Sequence, residues 1–265
     1  MKYFEILKKN LELKQTTVGS TYKLVIISNI TIFEIKEILE FYLRDNNINA
    51  QVDIADFDNI VQESIKYSNY DAVLIFWELI NFTDNLQVNQ LAFDEKKLLN
   101  LKLQLESEIQ LVLKNLKSTP LVIFNKFSSL NSHTNPLMEN KLSNIAHQIN
   151  AYINKIKSNN IVLVNHELIC YKLGLNKAID LRKYYISKSL YTIEFFIEYT
   201  KSLLPVFFSV KGKIKKVLVM DCDNTMWKGI LGEDGFNGIK MNNETFPGVI
   251  FNEIQKILLN LKNEG

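Results

Sequence analysis

Two hydrophobic rhythms alternate along this chain: short apolar runs, and longer stretches in which apolar residues return every three or four positions. Lys23-Leu-Val-Ile-Ile-Ser28 is the first short run and predicts a strand. Thr31 to Asp45 follows with apolar residues at Ile32, Ile35, Ile38, Leu39 and Tyr42, the spacing of one helix face, with Thr31 placed as its cap. Ile48 to Ile54 alternates apolar and polar and predicts a second strand; Asp56 to Tyr67 predicts a helix. The continuous runs Ala72–Phe76, Leu121–Phe124 and Ile161–Val164 predict three more strands, and Phe93–Lys117 and Pro136–Lys157 two long helices between them. A further helix is expected from Ile186 to Leu204, before Pro205. Strand and helix alternating in this way predict an α/β fold: a doubly wound parallel sheet in three layers, with right-handed crossovers.

Pro205 and the stretch Val210-Lys-Gly-Lys213 mark an expected domain boundary, dividing the chain into 1–209 and 210–265. Beyond it, Val217 to Met220 is continuously apolar between Lys215–Lys216 and a group of carboxylates, and reads as a buried parallel strand. It ends in Asp221, Asp223 and Thr225. In open α/β sheets, ligands sit beyond the carboxyl ends of the strands. At spacing i, i+2 in extended backbone, Asp221 and Asp223 leave the same face. Two carboxylates so placed repel, and a hard cation such as Mg²⁺ would keep both ionised. One could then attack phosphorus while the other moves protons. An EF-hand reading fails, because its required Gly and Glu positions hold Met226 and Gly232. The plain alternative is a solvated turn, which Asp-Cys-Asp-Asn would also serve.

Asp221-x-Asp223-x-Thr225 after an apolar strand resembles motif I of the haloacid dehalogenase (HAD) superfamily. The longer string Asp-Cys-Asp-Asn-Thr-Met-Trp-Lys-Gly-Ile-Leu-Gly-Glu-Asp-Gly is similar to its subfamily IIIC, the FkbH-like proteins, departing at Met226 (Leu in the family pattern) and Lys228 (Gly). The resemblance implies Asp221 as nucleophile, Asp223 as general acid/base, Thr225 as an orienter of the loop, and Mg²⁺ on Asp221 and the backbone carbonyl of Asp223. It further implies a squiggle and flap from Trp227 to about Ile239, with Gly229, Gly232, Gly235 and Gly238 at its turns. Such enzymes draw a Ser or Thr, a Lys and an acidic pair from later strands. Here the helix predicted over Phe251–Asn263 is followed by Glu264–Gly265, so the expectation is the first strand, flap and helix of a HAD Rossmann-like domain, inactive alone. A complementary HAD half or self-association would then be needed.

The same resemblance implies an SGNH-like amino-terminal domain. The predicted strand ends carry Ser28–Asn29, Trp77–Glu78, Asn125 and Asn165–His166 along one edge. Ser28 as nucleophile, Asn125 in an oxyanion hole and His166 as base would make an SGNH-type hydrolase site. The surrounding blocks depart from that pattern: Ile26-Ile-Ser28 replaces Gly-Asp-Ser, Ile123-Phe-Asn125-Lys replaces Gly-x-Asn-Asp, and Leu163 stands where the Asp before the His belongs. A degenerate fold used for binding or docking is the stronger expectation. Asp180-Leu-Arg-Lys-Tyr-Tyr185 resembles a further FkbH-like stretch, and a helix N-cap at Asp180 is its simplest role.

Composition narrows the classes. Lys+Arg of 31 against Asp+Glu of 29 gives no electrostatic case for nucleic acid. The two cysteines, Cys170 and Cys222, make no disulfide framework, and Cys222 is expected to point back into the core. The amino terminus is charged and amphipathic rather than a signal peptide, and no membrane span is expected, so the default location is cytoplasmic. The leading functional expectation is an FkbH-like phosphatase or phosphotransferase that handles a glyceryl or related acyl phosphate. Through the resemblance alone it would act with an acyl carrier protein in polyketide or polysaccharide biosynthesis. The alternatives are a non-catalytic carrier- or partner-binding module and an SGNH esterase or acyltransferase.

Overall fold

The computed structural model describes residues 1–82, 94–129, 141–213 and 217–264. The chain forms two compact units, Met1–Val210 and Lys211–Gly265.

In the first unit, helix α1 (Tyr3–Thr16) precedes strand β1 (Tyr22–Ser28), α2 (Phe33–Asp45), β2 (Ala50–Ile54), α3 (Ile60–Lys66) and β3 (Ala72–Phe76). Then come α4 (Glu95–Asn115), β4 (Leu121–Asn125), α5 (Lys141–Ile156) and β5 (Ile161–Val164). Three short helices, α6 (Glu167–Leu173), α7 (Leu175–Ala178) and α8 (Leu181–Ser187), lead to α9 (Ile193–Val210). All four strand pairings are parallel, in the order β2-β1-β3-β4-β5. The chain leaves β1 for one edge, returns, and builds outward the other way, so the topology reverses between β1 and β3.

Alternate strand residues feed two cores, as the pleat requires. Leu24, Ile26, Leu74, Phe76 and Ile123 pack with α1, α2 and α9 on one face; Val25, Ile27, Val73, Ile75 and Phe124 pack with α3, α4 and α5 on the other. Every residue of β3 and β4 is buried, which is why these strands read as unbroken apolar runs. The sheet is therefore the middle of three layers.

Helix boundaries differ from the sequence expectation where a turn or a tertiary contact intervenes. Thr31 does not cap α2: its hydroxyl donates to the Ser187 carbonyl, and Ile32 holds the cap position. The segment from Asp56 is a turn through Asp58, whose N–H donates to the Ser28 carbonyl, and α3 starts only at Ile60. Pro205 does not end α9, which continues to Val210. Residues beyond the proline have their own burial to gain: Phe207 is buried and packs edge-on against Tyr22 at 6.2 Å. The expected helix starts at Phe93 and Pro136 lie outside the described residues.

The second unit contains α10 (Leu231–Gly238) and α11 (Gly248–Glu264). Val217–Met220 forms no strand, contrary to expectation; its four side chains are 78%, 65%, 88% and 37% exposed. A parallel strand exists only through hydrogen bonds to a neighbour, and residues 217–264 contain no strand to pair with it.

Candidate functional site

The Asp221–Thr225 loop is built by its own hydrogen bonds. Thr225 N–H and Met226 N–H both donate to the Cys222 carbonyl, at 3.1 and 2.7 Å, winding the segment into a tight turn. Asn224 takes a positive φ of 53° in that turn, which a short polar side chain tolerates. Its amide oxygen accepts from Gly229 N–H at 3.2 Å, and its own N–H donates to the Gly229 carbonyl at 3.2 Å. Asp223 Oδ1 accepts from Trp227 Nε1 at 3.0 Å and from Leu231 N–H at 3.1 Å, the latter in the first turn of α10. The Asp221 carboxylate is exposed and, among the described residues, accepts only from the next backbone N–H, that of Cys222, at 2.8 Å. The two carboxylates thus have different partners: Asp223 is fixed against Trp227 and the first turn of α10, and Asp221 faces solvent. Cys222 is exposed rather than turned into a core, because no strand here has a buried face for it.

Residues 228–240 close on themselves. Lys228 and Lys240 exchange backbone hydrogen bonds at 3.0 and 2.9 Å, pinning both ends of the segment that carries α10. Asp234 Oδ2 accepts from Ile230 N–H at 2.8 Å inside it. Gly229 (φ 109°) and Gly235 (φ 62°) supply the left-handed turns; Gly232 and Gly238 do not have positive φ. Gln255 of α11 donates to the Met226 carbonyl at 2.7 Å and ties the helix to the loop.

At the start of α11, a Cβ on Gly248 would meet Asn242 Oδ1 at 2.6 Å and its backbone N and O at 2.9 Å. Gly248→Ala is therefore expected to destabilise the second unit by about 1–3 kcal/mol, the usual cost of overpacking. Proteolysis should then cut the mutant faster within residues 217–264 while leaving the first unit intact; equal cutting of both chains would refute the clash.

Asp221 and Asp223 bring hard oxygen donors of the kind Mg²⁺ takes, and that ion commonly uses one or two carboxylates together with water and phosphate oxygens. Among the described residues no group of three or more His, Cys, Asp and Glu could hold a metal. The residues here fit Mg²⁺ as a partial ligand set.

The other candidates lie at the carboxyl edge of the sheet in the first unit. Ser28 is buried, and its hydroxyl donates to the Ile30 carbonyl. Asn125 is buried and its Oδ1 accepts from Tyr199 OH at 2.6 Å. His166 is fully buried, with Nε2 3.3 Å from Glu78 Oε1. No hydrogen bond joins Ser28, Asn125 and His166 among the described residues, so the structure does not assemble them as a nucleophile–base site. Between β1 and β3, where ligands of such sheets usually enter, Asn29 instead stitches the edge shut. Its side chain donates to the Glu78 carbonyl at 2.9 Å and accepts from Glu78 N–H at 2.8 Å.

Glu78, Tyr191 and Tyr199 complete this edge. Glu78 Oε1 accepts from Tyr191 OH at 2.7 Å. Tyr191 stacks on Phe195 at 3.9 Å. Burial pushes the Glu78 carboxyl up to about 8, against the Tyr191 hydrogen bond, which lowers it; the nearby Glu167 raises it further. Burial pushes the His166 imidazole down to about 4. Glu78 is visible in the sequence as a strand-end residue, but nothing there shows its partners, which lie 113 residues away at Tyr191 and, beyond the end of β5, at His166 ahead of α6. Asp180 accepts from Arg182 and Lys183 N–H at 3.0 and 3.2 Å and caps α8.

This architecture belongs to the doubly wound α/β class, with an all-parallel five-stranded sheet. No family model matches the chain, and no curated protein does. It is similar to a solved structure of the N-terminal part of the protein BF1531 from Bacteroides fragilis, which contains a phosphatase domain and is complexed with Mg. The TM-score is 0.78 at 18% identity, over 100% of this chain and 72% of that one, a likeness of fold. A salicylyl-acyltransferase, SsfX3, from a tetracycline biosynthetic pathway matches over 72% of this chain and 56% of that one, at 10% identity and a TM-score of 0.44, which carries no argument. No helix among the described residues is long and apolar enough to cross a membrane.

Proposed function

We propose that the chain carries the nucleophile half of a Mg²⁺-dependent phosphatase or phosphotransferase site of the HAD type. The observation that carries this is the fixing of Asp223 by Trp227 Nε1 and the α10 amide, under a segment pinned at Lys228 and Lys240, with Asp221 left open to solvent. An acid/base group must be held, and a nucleophile must be reachable. The fold likeness to a chain that contains a phosphatase domain supports the reading.

Mg²⁺, held by Asp221 and the Asp223 backbone carbonyl, would offset the charge of the phosphoryl oxygens. An Asp221 oxygen forms a bond to phosphorus as the ester P–O bond breaks. Asp223 gives its proton to the leaving oxygen, then takes one from the water that attacks phosphorus and frees Asp221. A glyceryl or related acyl phosphate as substrate, and an acyl carrier protein as partner, rest on likeness of motif alone.

The exposed Val217–Met220 run favours a second reading, a non-catalytic module that binds a partner through this apolar segment. Turnover of p-nitrophenyl phosphate separates the two. The enzyme reading expects Mg²⁺-dependent hydrolysis that falls at least a hundredfold in Asp221→Asn, the order of loss when a group central to the chemistry is removed. No hydrolysis at any Mg²⁺ concentration, even at chain concentrations high enough to drive self-association, would favour the module.

A further inference from the structure

Glu78 and His166 sit in a place with no room for a net charge. They are 1% and 0% exposed, and their nearest atoms are 3.3 Å apart without the alignment of a hydrogen bond. Around them lie Tyr191 ahead of α9, Tyr199 of α9, Glu167 and Cys170 of α6, and Asn29 beyond β1. None of these supplies a positive charge, and Glu167 adds a negative one. Among the described residues, Glu78 Oε2, both His166 ring nitrogens and the Asn125 side-chain nitrogen are buried and find no hydrogen-bond partner. Orphaned buried polar groups are costly and rare, and four of them in one cluster mark a functional or switching feature rather than ordinary packing.

Counting protons shows what the cluster accepts. With one proton on the pair, it is neutral overall, whichever group carries it. With none, a lone carboxylate is buried beside Glu167. With two, a lone imidazolium is buried. Either change leaves an unpaired charge out of water, which is strongly unfavourable. The pair also sits at a junction: Glu78 follows β3, His166 precedes α6, and the hydrogen bond from Tyr191 connects Glu78 to the start of α9.

We propose that Glu78 and His166 form a one-proton latch that holds the ends of β3 and β5 against the start of α9, and that losing or gaining a proton loosens this corner of the sheet edge. This is a conformational device of the first unit and does not depend on the chemistry proposed for Asp221.

The pH dependence has a definite sign. A carboxyl raised from 4.5 to about 8 on folding gives stability that is present below 4.5 and lost as pH rises through about 8. An imidazole lowered from 6.5 to about 4 gives stability present above 6.5 and lost as pH falls through about 4. Between 4.5 and 6.5 the two slopes oppose and cancel, so stability is flat there; between 6.5 and 8 it falls.

The test is denaturant unfolding of the full chain from pH 4 to 8.5, followed by far-UV circular dichroism. The wild-type folding constant should drop about 30-fold between pH 6.5 and 8, at one proton per unit of pH. In Glu78→Gln that drop should vanish. In His166→Asn the fall should instead start near pH 4.5. Parallel profiles for wild type and Glu78→Gln above pH 6.5 would overturn the latch. Should the variants not fold, the wild-type chain answers alone: infrared detection of a buried carboxylic acid and ¹⁵N spectra of the His166 ring, one of three histidines, together count the protons on the pair. One proton in total at pH 6 supports the latch; none or two overturns it.

Discussion

Phe76→Ala is expected to cost the first unit about 3–5 kcal/mol, the usual penalty for removing a buried aromatic ring. Phe76 ends β3 and is fully buried. Its ring lies 5.0 Å from Tyr199, 6.1 Å from Tyr191 and 6.4 Å from Phe196, so it packs the sheet directly against α9 and the residue that leads into it. Removing it leaves a cavity that these rings cannot fill without moving, because Tyr191 and Tyr199 are held by hydrogen bonds to Glu78 and Asn125. Domains are stable by only about 5–15 kcal/mol in total, so the loss is a large share. Urea unfolding should show the midpoint falling sharply. Phe33→Ala is the control: that ring is mostly exposed, and its loss should stay within about 0.5 kcal/mol. A Phe76→Ala penalty below about 1 kcal/mol would mean that this aromatic layer does not join sheet to helix as described.

The strands were legible because burial on both faces writes itself into the sequence as an unbroken apolar run. Ala72–Phe76, buried throughout, has the same bounds in sequence and structure; Ile161–Val164 also keeps its bounds, although at the sheet edge only Ile161 of the four is fully buried. Helix ends were less legible, because they are set by distant partners. Thr31 meets Ser187 across 156 residues, and Phe207 meets Tyr22, so neither the cap nor the length of these helices is a local property. The short helices α6 to α8, of four to seven residues, are too brief to show a period. Val217–Met220 fails differently. Its apolar pattern states what the segment is suited to, burial between two layers, but a pattern cannot supply the neighbouring strands, and the segment stands exposed. The candidate residues divide in the same way. Ser28, Asn125 and His166 lie on one edge because strand ends share it. Their actual partners, Ile30, Tyr199 and Glu78, are tertiary choices that spacing does not encode.

Arg44 should prove as costly to remove as Phe76, for a reason that separates it from ordinary buried ion pairs. Arg44 and Glu40 are 4% and 6% exposed, and their side chains meet at 3.0 Å. Arg44 also donates to Asn10 at 2.6 Å, binding α1 to α2. Removing one partner of such a pair strands a buried charge and costs about 3–5 kcal/mol, so Arg44→Met should lose that much. Replacing both partners by apolar residues is often neutral elsewhere. Here it should not be. Strand β2 is an edge strand of the sheet, and its outward backbone groups have no strand to pair with. Arg44 donates to the Ala50 carbonyl at 2.7 Å, and Glu40 accepts from Val52 N–H at 3.0 Å. The ion pair thus stands in for the missing strand, satisfying one carbonyl and one amide of the open edge and blocking it against pairing with another chain. The double variant Arg44→Met, Glu40→Leu would leave both backbone groups buried and unpaired, at about 1–3 kcal/mol each. It should remain well below wild type in denaturant unfolding and associate in a concentration-dependent way by light scattering. A double variant that regains wild-type stability and stays monodisperse would reduce the pair to an ordinary ion pair and leave the β2 edge to be protected by something else.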